Sequence, residues 1–254
     1  MSMASNERWW NRAVVLLLIV VLLVLFIQTP DIGLLPAPVP TPIPSPDPPP
    51  EPEVVQLVPS PAPAIHTSLW WNEQIAQRDL DLVQAMGFRW IKQAFPWRDI
   101  ETHVKGGYDW WRTDRIVEDA EERGLYLIVR IDRQPFWAQE DGGALPLENA
   151  PPADLQDMED ICFAIADRYR GRIRAYQVWN EPNLSREWGN RPPNAAEYVA
   201  LLARCHTGIK NGDPNALVIS AGPAPTGTDL PLAIPDDRFI REMYEAGGAP
   251  YFDM

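Results

Sequence analysis

The chain has 254 residues, of which 46% are hydrophobic and eleven are tryptophan, and its net charge is −13. That acidity excludes a nucleic-acid binder, which needs clustered lysine and arginine to meet phosphates, and otherwise speaks only for solubility. Two cysteines, Cys162 and Cys205, with no Cys-x-x-Cys, exclude a zinc ribbon or a disulfide-rich scaffold.

Three unlike segments follow one another. Residues 1–12 carry Arg8 and Arg12, and residues 13–28 hold an uncharged apolar run from Ala13 to Ile27. As a helix that run reaches about 22 Å at ~1.5 Å per residue, short of a ~30 Å bilayer core. Trp9 and Trp10 can extend it at the interface. Basic residues precede the run and none follows until Arg78, so residues 1–12 are expected in the cytoplasm and everything after 28 outside it. No small-residue cleavage site follows Ile27, which predicts an uncleaved single-pass signal anchor in the cell membrane. A cleaved signal peptide and a secreted product is the competing reading.

Residues 29–63 hold half of the 28 prolines. Proline fixes φ and removes a donor, so this segment is predicted as a disordered, stiff polyproline spacer. A ligand for a proline-recognising domain would carry basic residues, and this stretch has none.

From residue 64 to 254 strands and helices alternate. "AIHTSLWW" (64–71), "RWIKQAFPW" (89–97), "YLIVRIDRQPFWA", "IRAYQVWNEPN" and "ALVISAGPAP" read as strands. Between and after them lie five helical patterns, beginning at Glu73, Thr113, Asp154, Asn194 and Asp236; Gly124 and Gly171 close the second and third. Units of 30 to 40 residues in this order mean right-handed crossovers and a parallel sheet. The near-continuous apolar strands suit a sheet covered on both faces. A doubly wound sheet and a barrel of eight βα units both fit. No G-x-G-x-x-G follows the first strand, which disfavours a dinucleotide fold. Both cysteines fall in helices and read as buried thiols; a bridge between them requires an oxidising compartment.

In a parallel barrel the site forms at the C-terminal strand ends. Those ends carry Trp70-Trp71-Asn72, then Phe95-Pro96-Trp97-Arg98, then Arg130, Asp132, Arg133 and Phe136-Trp137, then Trp179-Asn180-Glu181 with Trp188 beyond. A single tryptophan there is more often packing than ligand. Repeated at four successive ends, with carboxylates, they suit a carbohydrate, because indole faces stack on sugar C–H faces. No cofactor is expected. A metal is not either: His66, His103 and His206 have no ligand spacing. Glu181 then reads as a solvated turn residue or as a general acid, held protonated by an apolar neighbour such as Trp179. Asn180 beside it can bond a sugar hydroxyl.

Trp179-Asn180-Glu181-Pro182-Asn183 on a fourth strand resembles the acid/base motif of the retaining glycoside hydrolases of clan A, in the style of the β-xylosidase-like family 39 or the cellulase-like family 5. The resemblance extends over nearly all of 64–254. It implies a (β/α)₈ TIM barrel that hydrolyses O-glycosidic bonds of oligo- or polysaccharides, with Glu181 as acid and base and Asn180 on the sugar 2-hydroxyl. Trp179, Trp71, Trp97, Arg130 and Trp137 complete the expected substrate-binding set. One departure is Lys92, where family 5 members often place arginine. Lysine cannot replace an arginine fork, which tilts the likeness toward family 39.

In the clan the nucleophile is a glutamate on strand seven. This chain reaches about five βα units and "YFDM", which resembles the opening of strand six. The expectation is therefore a C-terminally truncated enzyme, inactive by itself. Asp132 is the only acid to nominate in the nucleophile's place, and it sits on the wrong strand. The rival reading is a non-catalytic, membrane-anchored carbohydrate-binding module. Nothing in the sequence sets the oligomeric state.

Overall fold

The computed structural model describes residues 63–140, 142 and 147–254. Among these residues no helix is long and apolar enough to cross a membrane. The predicted cytoplasmic segment 1–12, the signal anchor 13–28 and the spacer up to residue 62 lie outside them.

Five parallel strands pair in sequence order, as alternating strands and helices require: β1 Ala64–His66, β2 Trp90–Pro96, β3 Tyr126–Asp132, β4 Ala175–Val178 and β5 Leu217–Ile219. The helices are α1 Glu73–Ala85, the single turn α2 Trp97–Ile100, α3 Trp111–Glu122, α4 Leu155–Arg168, α5 Ala195–Gly212 and α6 Asp236–Glu245. Asn72, Asp154 and Asn194 open α1, α4 and α5, each accepting backbone N–H groups of the first turn. Gly124 and Gly171 stand after α3 and α4 with φ of 63° and 75°, a conformation glycine adopts without penalty.

The strands are shorter than expected, β1, β3 and β4 for local reasons. The last backbone bond from β1 to β2 is Thr67 N–H to Lys92 O at 2.8 Å, and beyond it the Leu69 N–H is taken by the Gln93 side chain at 2.7 Å. β3 and β4 end where Arg133 and Trp179 enter the left-handed region, at φ 59° and 74°. The expected extended opening at the end of the chain is present for three residues. Phe252 is extended, Asp253 N–H donates to Val218 O at 2.7 Å, and Ser220 N–H donates to Met254 O at 2.9 Å.

Alternation along the strands separates two faces. Ile91, Phe95, Leu127, Val129, Ile131, Tyr176, Val178 and Val218 are buried and join the helix residues Leu80, Ile116, Ile161, Ile165, Leu202 and Ile209 in one core. The opposite face carries Lys92, Ala94 and Arg130, only partly buried, beside the more deeply buried Gln177. Burial on both faces, expected from the apolar strands, therefore holds for β4, whose four residues are all buried, while β2 and most of β3 are buried on the helix side alone.

The cysteines correct the reading as free thiols: Cys162 of α4 and Cys205 of α5 form a disulfide with Cα atoms 5.3 Å apart. What brings them together is close helix packing. A Cβ on Gly208 would lie 2.3 Å from Glu159 O, and one on Gly212 2.7 Å from Ala166 Cβ. Only glycine lets α5 approach the α4 backbone this closely. Gly208→Ala is expected to destabilise the domain by about 1–3 kcal/mol through overpacking. Gly222→Ala, with nothing within 4 Å of the added methyl, should stay within about 0.5 kcal/mol. Chemical denaturation of both variants checks the contrast.

Candidate active site

β4 is buried at every residue, and its exit is unusual. Trp179 and Glu181 both have positive φ, 74° and 40°, on either side of Asn180. Neither is glycine, so the turn stores strain of about 1–3 kcal/mol per residue. Side chains hold it in place. Gln177 Nε2 donates to Trp179 O at 2.8 Å, and Trp179 Nε1 donates to Glu187 O at 2.8 Å. Asn183 is fully buried and spends its amide on three backbone bonds. It donates to Ala224 O and Ile234 O, both at 2.9 Å, and accepts from Ala224 N–H at 2.8 Å. The last asparagine of the motif is thus a clip between the β4 exit and the loop after β5. It was visible in the motif, but its partners are 41 and 51 residues away.

The result is to present Glu181 at the surface, with its side chain 33% exposed and Arg186 Nη2 at 3.2 Å from Oε2. Trp179 was expected to shield this carboxyl and offer a sugar face. Instead its indole is 0% exposed and packs on Trp188, ring centroids 5.8 Å apart.

Asn180 is held from β3. Arg130 Nη1 donates to Asn180 Oδ1 at 2.9 Å, and Arg130 Nε lies 2.8 Å from Asp132 Oδ2. The register Arg130↔Gln177 places the two strands so that this arginine reaches the β4 exit. The Nε–H is not aimed at the carboxylate, so the Asp132 pair holds by charge. Burial pushes the Asp132 carboxyl above its ordinary value, while Arg130, Arg133 and Arg98 pull it back. An acid this enclosed, facing a guanidinium, is not placed to attack a sugar.

A cleft of about 310 Å³ opens at the ends of β1 to β3, and Trp71, Gln93, Asp99, Arg130 and Arg133 are among its walls. His66 is also in the wall; burial, then Lys92 and Arg130, lower its pKa, so it is neutral at pH 7. Lys92 itself is lowered by burial and by Arg130. A second hollow of about 330 Å³ shares Arg133 and is lined by Glu148, Asn149, Arg186, Glu187 and Asn190. Arg186 links it to Glu181. Sequence patterning did not single out Asn149 or Arg186, because loop residues carry no period to betray them, and Gln93 stood inside a strand as an ordinary polar residue.

Of the four expected tryptophan faces, only Trp71 is open, at 73% exposed. Trp97 is 0% exposed, a correction with a clear cause: its Nε1–H needs a buried acceptor and finds Glu101 Oε2 at 2.6 Å. Trp137, partly buried, packs edge-on against Trp97 at 5.9 Å and donates to Glu101 O at 2.9 Å. Both indoles therefore build the wall behind the loop after β2.

Residues 55–244 match the family cellulase (glycosyl hydrolase family 5). The chain belongs to glycosyl hydrolase family 5. Lys92 accordingly does not take it out of that family. A β-xylosidase from Geobacillus stearothermophilus is 28% identical over 179 aligned residues, covering 58% of this chain and 32% of the relative. The chain thus spans about a third of that relative's length. Among solved structures, a family 39 glycoside hydrolase from Bacteroides cellulosilyticus superposes with TM-score 0.56 at 18% identity, covering 74% of this chain and 36% of the other. A GH5_18 protein from Streptomyces cattleya, in complex with Manb1-4GlcNAc, gives TM-score 0.52 at 16% identity over 63% of this chain and 44% of that one. The two structural likenesses show a shared parallel α/β fold. The family 5 membership places the chain among glycoside hydrolases.

Two expectations follow from the tryptophan geometry. Trp97→Ala should cost about 3–5 kcal/mol of stability, and Trp71→Ala less than about 0.5 kcal/mol, both read by denaturant titration. Glu101 accepts from Trp97 and from Gly106 N–H, and burial raises its pKa above the ordinary 4.5. A raised carboxyl favours the folded state most when protonated, so its contribution falls as pH rises above 4.5 through the folded value. Glu101→Gln should therefore gain stability relative to the parent across that rise, checked by melting curves at stepped pH.

Proposed function

We propose that this family 5 domain cleaves O-glycosidic bonds of β-linked oligo- or polysaccharides by the retaining route, with Glu181 as acid and base. The observation that carries the reading is the strained β4 exit. It turns a single carboxylate out of a fully buried strand, beside an amide pinned by Arg130. In the first step Glu181 gives its proton to the leaving glycosidic oxygen as the C–O bond breaks. In the second it takes a proton from the water that attacks the anomeric carbon and displaces the second carboxylate, which would have bonded that carbon as the glycosidic oxygen left. Asn180 bonds the sugar hydroxyl next to that carbon, and Arg130 positions the amide. Arg186 leaves the carboxyl when substrate fills the site, since its side chain is mostly exposed. The retaining route needs a second carboxylate about 5–5.5 Å away. By the clan resemblance it belongs to a seventh strand, which β1 to β5 do not include.

The same reading puts the domain outside the cytoplasm on its N-terminal anchor. The Cys162–Cys205 bridge supports an oxidising compartment, and the similarity to a β-xylosidase supports xylo-configured sugars as first substrates to try.

The test is hydrolysis of β-xylosides and β-glucosides by the protein extended through the strand that carries the second carboxylate, with and without Glu181→Gln. A fall of about 10²–10⁴-fold in the variant is expected for loss of the general acid. Undiminished hydrolysis in Glu181→Gln would refute the assignment. Oligosaccharide binding without turnover in that extended protein favours the carbohydrate-binding module.

A further inference from the structure

The two most exposed tryptophans among the described residues stand together. Trp71 is 73% exposed and Trp111 54%. Between them lies Arg112, its Cζ 5.3 Å from the Trp71 ring centre and 4.5 Å from that of Trp111, with Trp70 at 5.9 Å beneath. A guanidinium against indole faces is held by the ring quadrupole, so the arginine fixes the orientation of both rings and leaves their outer faces to solvent.

The mounting is rigid. Trp71 immediately precedes Asn72, which caps α1, and Trp111 is the first residue of α3. The two helices are fastened side by side: Gln77 Nε2 donates to Asp119 Oδ1 at 2.7 Å, and Arg123 Nη2 donates to Gln77 Oε1 at 2.5 Å. Arg115 Nη2 ties α3 to Leu69 O at 2.7 Å, just ahead of Trp71. The indoles are therefore not the seam of a helix awaiting its neighbour, since the α1–α3 seam is already closed. Exposed aromatics held this firmly mark a contact surface.

Position decides the occupant. Trp71 also lines the cleft that Arg130 enters, so the patch continues that cleft outward over the rim. We propose that Trp111, with Trp71 and Arg112, forms an outer stacking site for sugar rings of a chain that extends from the cleft. The ligand class is a neutral β-linked polysaccharide or long oligosaccharide, not a disaccharide. The flat indole faces stack on sugar C–H faces while hydroxyls reach solvent and the edge of the guanidinium. This rests on the glycosidase reading of the cleft.

The test is calorimetric titration of the protein with xylo- and gluco-configured β-linked ligands, each as a disaccharide and as a long oligosaccharide. Trp111→Ala is expected to weaken the long ligand about tenfold more than the disaccharide, and Trp111→Phe to recover most of that loss. Leu82→Ala, an exposed apolar residue of α1, should leave the ratio as it is, and melting curves confirm that each variant is folded. An equal effect of Trp111→Ala on short and long ligands overturns the outer site while the cleft assignment stands. A shift in sedimentation of the Trp111→Ala protein without any change in sugar affinity overturns it in favour of self-association. If the unaltered protein binds no ligand of either length, both the outer site and the glycosidase reading fall.

Discussion

At the exit of β4 the backbone enters the left-handed region twice in three residues, at Trp179 and Glu181, and the candidate site depends on that turn surviving. The conformation is unfavourable for both residue types, so it persists only where surrounding contacts over-determine it. Those contacts are specific. The Trp179 indole is anchored to Glu187, its carbonyl to Gln177, and Asn183 fastens the exit to two distant backbone segments. Relaxing the turn would swing Glu181 away from Asn180 and break the line from Asp132 through Arg130 to the amide. Strain here is compensated by buried hydrogen bonds, each worth more in a dry interior than at the surface.

The tryptophans divide by what their N–H groups can find. Trp97 and Trp137 both bond Glu101, and Trp179 bonds the Glu187 carbonyl. Each is thereby drawn inward to build the frame around the site. Trp71 and Trp111 have no such inward anchor among the described contacts and are arranged instead by a cation lying on their faces. One residue type thus performs two tasks at the same end of the sheet: a buried wall and an exposed platform. Below them the α4–α5 pair, locked by Gly208, Gly212 and the disulfide, supports β4 and β5 from the helix side. Its tight packing transmits little freedom to the strands above.

What the residues determined by themselves was the alternation of strand and helix, the parallel order, the helix stops at Gly124 and Gly171, and the motif that sets Glu181 at a strand end. Each is local: a period, a helix-ending glycine, or a spacing within one segment. Family membership was legible for the same reason, because the motif and its strand are contiguous. Tertiary structure alone decided which indoles face the cleft, that the two cysteines meet, and that Asn183 clips loops instead of touching sugar. Trp137, the cysteines and Asn183 turn on partners 36 to 51 residues away, while Trp97 and Trp179 bond acceptors 4 and 8 residues on that only the folded turns bring within reach. A buried N–H or a close helix approach is satisfied by whatever the fold brings near, and no periodicity in the chain reports that.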